Sequence, residues 1–233
     1  MIFNPENFGL KTDYLYEVIT CTYSKSEEDK KIKPNASCMG IRVDEYNLIE
    51  IGPYSTTSTY KNLKENKILT LNFVDDIYLY ALASLKEPNS SIGLQELSTN
   101  YYNFKKLETR EILIPYINDA WGILICEPVK EFLKIKQNEL GEIKIPFFKL
   151  KVIFCDKLKQ SFKLFIRAEN LTLEIIILAT RLKVAKEMKN ASLFDEIYEK
   201  IIDLMETVKR LGKHDRVLKT IDHVNDYIKI LMD

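Results

Sequence analysis

The chain changes its hydrophobic period once, near residue 168, and that change limits the fold more than any other feature. Beyond it, 168–189, 192–211 and 214–231 carry apolar residues at three- and four-residue spacing, which predicts three amphipathic helices. Ile197, Ile201, Leu204, Val208 and Leu211 are expected to line one face of the second, with Ser192 as its N-cap and Gly212 as its stop. Before it, segments dense in aromatic and β-branched residues alternate with turn signals. Strands are predicted at 14–23, 35–43, 46–51, 67–74, 123–135 and 142–154. The charged stretch 24–33 reads as a solvated hairpin tip, and 137–141 as a turn. Short helices are predicted at 58–66 and 77–86, and 89–110 reads as a polar loop with a short helix. Strands first and helices last make an α+β protein, a barrel or sandwich with a C-terminal helical extension. The expected domains are 1–166 and 167–233.

The rare residues exclude much chemistry. Only His214 and His223 are histidines, nine positions apart in the last 20 residues, so a triad would have to borrow one of them from a polar C-terminal helix, and a multi-histidine zinc site is short of ligands. Both are expected on the solvated surface, and no metal site is expected. The seven glycines are isolated, and neither GxGxxG nor GxxxxGK[ST] occurs. Cys21, Cys38, Cys126 and Cys155 form no CxxC pair and read as buried, reduced thiols of a cytoplasmic protein. The 34 basic and 34 acidic residues are interleaved, and only six of the bases are arginine, so a nucleic-acid partner is not expected. No apolar run approaches the roughly 20 residues of a membrane helix, and the first residues carry no secretory pattern. A domain so short of acid–base side chains either binds something or takes its reactivity from a cofactor.

One segment can carry such a role. Ser55-Thr56-Thr57-Ser58-Thr59 sits between a predicted strand end and a helix start, with Lys61 close behind. A helix's first turn presents unpaired N–H groups and the positive end of its dipole, so small hydroxyl residues there can cradle a phosphate without a glycine-rich loop. The same residues also suit an over-capped helix in a polar loop. The preceding strand, Pro34-Asn35-Ala36-Ser37-Cys38-Met39-Gly40, is lined with small side chains. They allow either a planar ligand or a helix to approach its backbone closely.

Asn-Ala-x-x-x-Gly on one strand, then Gly-x-Tyr-x-x-x-Ser-Thr-Tyr-x-Asn-Leu, then a Leu-Asn-Phe strand, resembles the flavin-reductase-like split barrels that bind FMN. More narrowly, the chain resembles an uncharacterised, largely archaeal domain-of-unknown-function family of such proteins. Arg167-Ala168-Glu169-Asn170, Glu174 and Ala179-Thr180-Arg181-Leu182 extend that resemblance into the first predicted C-terminal helix. It implies a split β-barrel and FMN as cofactor. It places Asn35, Ala36 and Ser37 at the isoalloxazine edge, and Thr57, Ser58 and Thr59 at the ribityl phosphate. Asn72 would lie beside the flavin or its ribityl chain. Arg181 would complete the site, or else pair with a residue such as Glu174. Related proteins often have proline where Cys38 stands, and they are typically homodimers with FMN near the interface.

The function implied is an FMN-dependent oxidoreductase moving hydride from NAD(P)H through FMN to an unidentified acceptor. A flavin-binding carrier or sensor without turnover, and an interaction protein that has lost flavin, are the alternatives. The residues nominate no catalytic side chain.

Overall fold

Six strands close on themselves in the computed structural model, in the order β1 (Tyr16–Lys25), β2 (Ile32–Val43), β3 (Ile49–Ile51), β8 (Gly141–Lys157), β7 (Gly122–Asn138) and β4 (Leu69–Phe73), every neighbouring pair antiparallel. The described residues are 3–25, 31–87, 96–107, 112–138, 141–160, 167–211 and 215–232, with backbone only at 136–138 and 141–143. Two further strands, β5 (Tyr102–Leu107) and β6 (Ile112–Ile117), form a separate hairpin. Helix α1 (Ser58–Asn66) follows β3. The protein is α+β, as the order of its segments requires. It divides into a barrel unit, Met1–Asp75 with Leu97–Ser161, and a helical unit, Asp76–Glu96 with Phe162–Asp233.

Inside the barrel Val18, Leu71, Leu124, Phe148 and Leu150 pack with Leu63 of α1. The opposite face of β1 is covered as well, where Tyr23, Ile68 and Ile125 pack with Leu107 and Ile114 of the β5–β6 hairpin. Both faces of β1 are therefore buried from Val18 to Tyr23, the buried polar residues being Thr20 and Thr22 on one face. Each of β7 and β8 has 17 residues, and the register shifts at Ile125/Cys126 and Pro128/Lys130. Such bulges bend long strands around a small barrel.

Several elements depart from the pattern reading. Residues 24–25 and 32–33 are strand, with Lys25 opposite Ile32, and Lys31 is not; the proposed hairpin tip at 26–30 lies outside the described residues. The third strand starts at Ile49 rather than residue 46. The Asp44 carboxylate accepts the amides of Tyr46 and Leu48, Asn47 takes a φ of 59°, and the chain turns there instead. The β5–β6 hairpin occupies part of the stretch read as a loop with a short helix. Its lysines at 105 and 106 and its edge position mask the strand alternation. Cys21, Cys126 and Cys155 are buried and outside any disulfide, as expected, and Cys38 is half-buried.

The helical unit comprises α2 (Ile77–Ser84), α3 (Arg167–Glu187), α4 (Ala191–Leu211) and α5 (Asp215–Met232). Asn190, not Ser192, caps α4, its side-chain oxygen accepting the Leu193 amide. The buried face of α4 is Leu193, Ile197, Ile201, Met205 and Val208, whereas Leu204 is half-buried and Leu211 is exposed. A stripe spaced mostly by four residues drifts slowly around an α-helix, and the drift selects Met205 over Leu204. His223 is buried, contrary to its polar surroundings in sequence. Its ring lies edge-on to Tyr78 at 5.9 Å between centroids, and its Nε2 has no hydrogen-bond partner. Burial pulls its pKa down, against Asp226 and a hydrogen bond to the backbone of Leu85. His214 lies outside the described residues.

Candidate functional site

The polar centre of the barrel unit is built where α1 meets β1 and β2. Strand pairing sets Thr22 opposite Asn35 and Thr20 opposite Ser37, so all four side chains share one sheet face. Helix α1 brings Thr59 and Asn62 down onto that face from three positions apart. The Asn35 amide donates to Thr22 Oγ1 at 3.2 Å and to Thr59 Oγ1 at 3.3 Å. The hydroxyls of Ser37 and Thr59 lie 2.7 Å apart. Asn62 donates to Thr22 Oγ1 at 3.1 Å. Thr20 is fully buried, and its hydroxyl has no hydrogen-bond partner. The cluster thus holds polar capacity that the protein does not consume.

Above the cluster, the start of α1 faces outward. Thr57 is the N-cap: its hydroxyl donates to the Tyr54 carbonyl at 2.7 Å and accepts the Tyr60 amide at 3.3 Å. Ser58 and Lys61 are exposed, while Thr59 is buried. The three hydroxyls therefore diverge, one capping the helix, one reaching solvent and one locking α1 to β2. No acidic residue occupies the first turn, so no carboxylate of the helix itself offsets the positive dipole end. The body of α1 is fixed at β7, where Glu131 accepts the Tyr60 hydroxyl at 3.0 Å and the Lys64 ammonium at 2.6 Å. The Lys64 bond holds the Glu131 carboxyl below its ordinary range.

Of the residues named from sequence, the structure brings together Asn35, Ser37, Thr57, Ser58 and Thr59. Ala36 follows the period of two onto the opposite sheet face and is fully buried opposite Cys21, so its side chain cannot join its neighbours. Asn72 also lies on that opposite face, across from Ile19, and is fully buried. Its amide donates to the carbonyls of Ile19 (2.8 Å) and Thr70 (3.2 Å), and its oxygen accepts the Ile117 amide at 2.8 Å. Asn72 ties β4 to β1 and β6. Arg181 is half-buried on α3 of the helical unit. Sequence reasoning missed Thr22 and Asn62. The available signals were a threonine at alternate positions of an otherwise apolar strand, and an asparagine three residues after Thr59.

Among the described residues, no group of three or more metal-ligating side chains occurs, and no helix is long and apolar enough to cross a membrane.

Residues 16–130 match the family described as protein of unknown function (DUF447), N-terminal domain. No curated protein sequence matches the chain. Among solved structures, the chain shares a fold with an FMN-bound protein from Methanosarcina mazei assigned to the same family. The TM-score is 0.69 at 16% identity, over 96% of this chain and all of the other. A flavoredoxin from Methanosarcina acetivorans matches with a TM-score of 0.44 at 14% identity, over 70% of this chain and 77% of its own. The styrene monooxygenase flavin reductase from Pseudomonas putida matches with a TM-score of 0.40 at 10% identity, over 62% and 84%.

Proposed function

Taking residues 16–130 as a DUF447 N-terminal domain on a flavin-reductase-like split barrel, we propose that the protein binds FMN and serves as an FMN-dependent oxidoreductase. The observation that carries this reading is the start of α1. A capped, acid-free helix N-terminus lies directly above a cluster of hydroxyls and amides in the barrel. That donor set suits a ribityl phosphate: the amides of Ser58 and Thr59 have no carbonyl one turn earlier to bond, and the Ser58 hydroxyl is exposed. Asn35 and Ser37 would orient the ribityl chain or ring edge beside it. Thr59 acts by positioning, since its hydroxyl fixes the helix start against β2.

When bound, FMN supplies the hydride chemistry, for which the barrel unit, with no histidine in its sequence, has little equipment of its own. In this reading NAD(P)H is the reductant and the acceptor is unidentified. We further place the protein in the cytoplasm as a homodimer. Its four cysteines, none of them in a disulfide, suit a reducing compartment.

The test is the visible absorption spectrum of the purified protein before and after addition of FMN and desalting. Retained FMN is the expected result, and a colourless protein that does not retain added FMN overturns the reading. Ser58→Ala together with Thr59→Ala should weaken FMN binding by about 1–3 kcal/mol, the scale of lost charge-assisted hydrogen bonds. Oxidation of NAD(P)H with an artificial acceptor separates turnover from a carrier role. A rate no higher than free flavin gives would leave binding without catalysis.

A further inference from the structure

The helical unit holds a concavity of its own, a pocket of about 330 Å³ at the turn from α3 into α4. That volume lies in the range of small-molecule sites. Local bonds make the turn tight. Lys189 takes a φ of 55°, its amide bonds the Lys186 carbonyl at 2.9 Å, and the Asn190 amide bonds the Ala185 carbonyl at 3.1 Å. Asn190 then caps α4 through the Leu193 amide, so α4 begins directly where α3 stops. Ala185 and Ala191 stand on either side of this turn, and their short side chains leave the gap unfilled. The last turn of α5 brings Leu231 and Met232 to the same gap.

The body and the mouth of the pocket differ in chemistry. Ala185 and Leu231 are buried and Phe194 is half-buried, and with Met232 they make an apolar body. Lys186 and Lys189 are exposed at its edge, and Asp195 is the single carboxylate of the described lining. Neither ammonium, nor the Asp195 carboxylate, has an ion-pair or hydrogen-bond partner among the described residues. Lys183, one turn earlier on α3, shows the contrast, because it is bonded to Glu87. The pocket therefore sets two uncommitted cations and one anion beside an apolar slot. A lysine serves such a mouth well, since its stem lies along apolar surface while its charge stays at the rim.

We propose that this pocket binds a monoanion with an apolar body, a carboxylate carrying a hydrocarbon chain. Its chain would pack on Phe194, Leu231 and Met232, and its carboxylate would accept from Lys186 and Lys189. The charge count selects one negative charge. A cation would meet two ammoniums, and the second charge of a dianion would meet Asp195. The site lies wholly within the helical unit and does not rest on FMN binding at α1.

Methyl-labelled methionine reads binding without any assay of activity, because Met232 lines the pocket and is 51% exposed, whereas Met205 is buried in α4. The full-length protein is titrated with octanoate, octanol, octylammonium and acetate, a set that separates chain from charge. Octanoate is expected to move Met232 saturably and to leave Met205 in place. Octanol and octylammonium should bind at least about tenfold more weakly, having lost the charge-assisted bonds, and acetate should give no saturable shift. Lys186→Gln together with Lys189→Gln, both at exposed positions, should bring octanoate down to the affinity of octanol. Ala191→Leu, at the exposed first residue of α4, narrows the cavity and should weaken octanoate and octanol alike. Met232 unmoved by octanoate, octanol bound as tightly as octanoate, or an octanoate response unchanged in the double lysine variant would each overturn the proposal.

Discussion

Asn35 and Asn72 are both strand asparagines that the sequence marks as ligand contacts, and the barrel treats them in opposite ways. Asn35 is half-buried and bonds the hydroxyls of Thr22 and Thr59. Hydroxyls rotate and can both donate and accept, so a ligand can replace such partners at small cost. Asn72 is fully buried and bonds two carbonyls and an amide of the backbone on three strands. Backbone groups in a closed sheet cannot turn to another partner, so those bonds belong to the architecture. A polar side chain in a strand serves as ligand or as mortar according to whether its partners are side chains or main chain.

Replacing Asn72 by alanine should produce the largest effect. It removes three hydrogen bonds and leaves the Ile117 amide buried without its partner, at a cost of about 2–4 kcal/mol in the denaturant stability of the barrel unit. Asn35→Ala should cost only about 0.5–1.5 kcal/mol of stability, because Asn62 still bonds Thr22 and Ser37 still bonds Thr59. Its FMN affinity should fall by more than its stability. Equal losses in both quantities for Asn35→Ala would erase the distinction.

The helical unit offers a third kind of buried polar group, one with an unmet atom. The folded pKa of His223 is depressed, so the unfolded chain binds the proton more readily. The stability of that unit should be flat above about pH 6.5 and fall as pH drops below it, with a slope of at most about 1.4 kcal/mol per pH unit. Urea midpoints of wild type and His223→Leu across pH 5 to 8 check this. A slope that survives the substitution assigns the effect to other groups.

Asp44→Asn should produce the smallest change, below about 1 kcal/mol, because asparagine still accepts the Tyr46 and Leu48 amides and loses only the charge pairing with Lys149. Burial pushes the Asp44 carboxyl up, but the bonds from Lys149, Leu48 and Tyr46 outweigh it and hold the pKa low. Its contribution is therefore present at neutral pH and lost only as pH falls through the acid range below about 4. Thermal melts at pH 7 and pH 3 compare the two.

The pattern of residues alone was enough to order the fold. β-branched runs and turn signals specify a strand-rich first part, and the spacing after residue 168 specifies helices, because both follow from side-chain period. The limits of α1 were legible to the residue, since Thr57 caps its start and Lys67 ends it at a φ of 55° through local bonds. Asn35, Ser37 and Thr59 of the polar cluster were named from sequence, whereas Thr20, Thr22 and Asn62 join it only through strand register and the seating of α1.

What the sequence could not decide was everything set by pairing at a distance. Register put Ala36 and Asn72 on the other face of the sheet from Asn35 and Ser37, and it set Thr20 and Thr22 opposite Ser37 and Asn35. Burial of His223 depended on α2 packing against α5 from more than 130 residues away, and the grouping of Ile77–Ser84 with the late helices depended on the same kind of packing. The physical reason is shared. Period and capping act over one or two turns of chain, whereas the face a strand residue points to, and the element that covers it, are fixed only when partners remote in sequence close the barrel or the bundle around it.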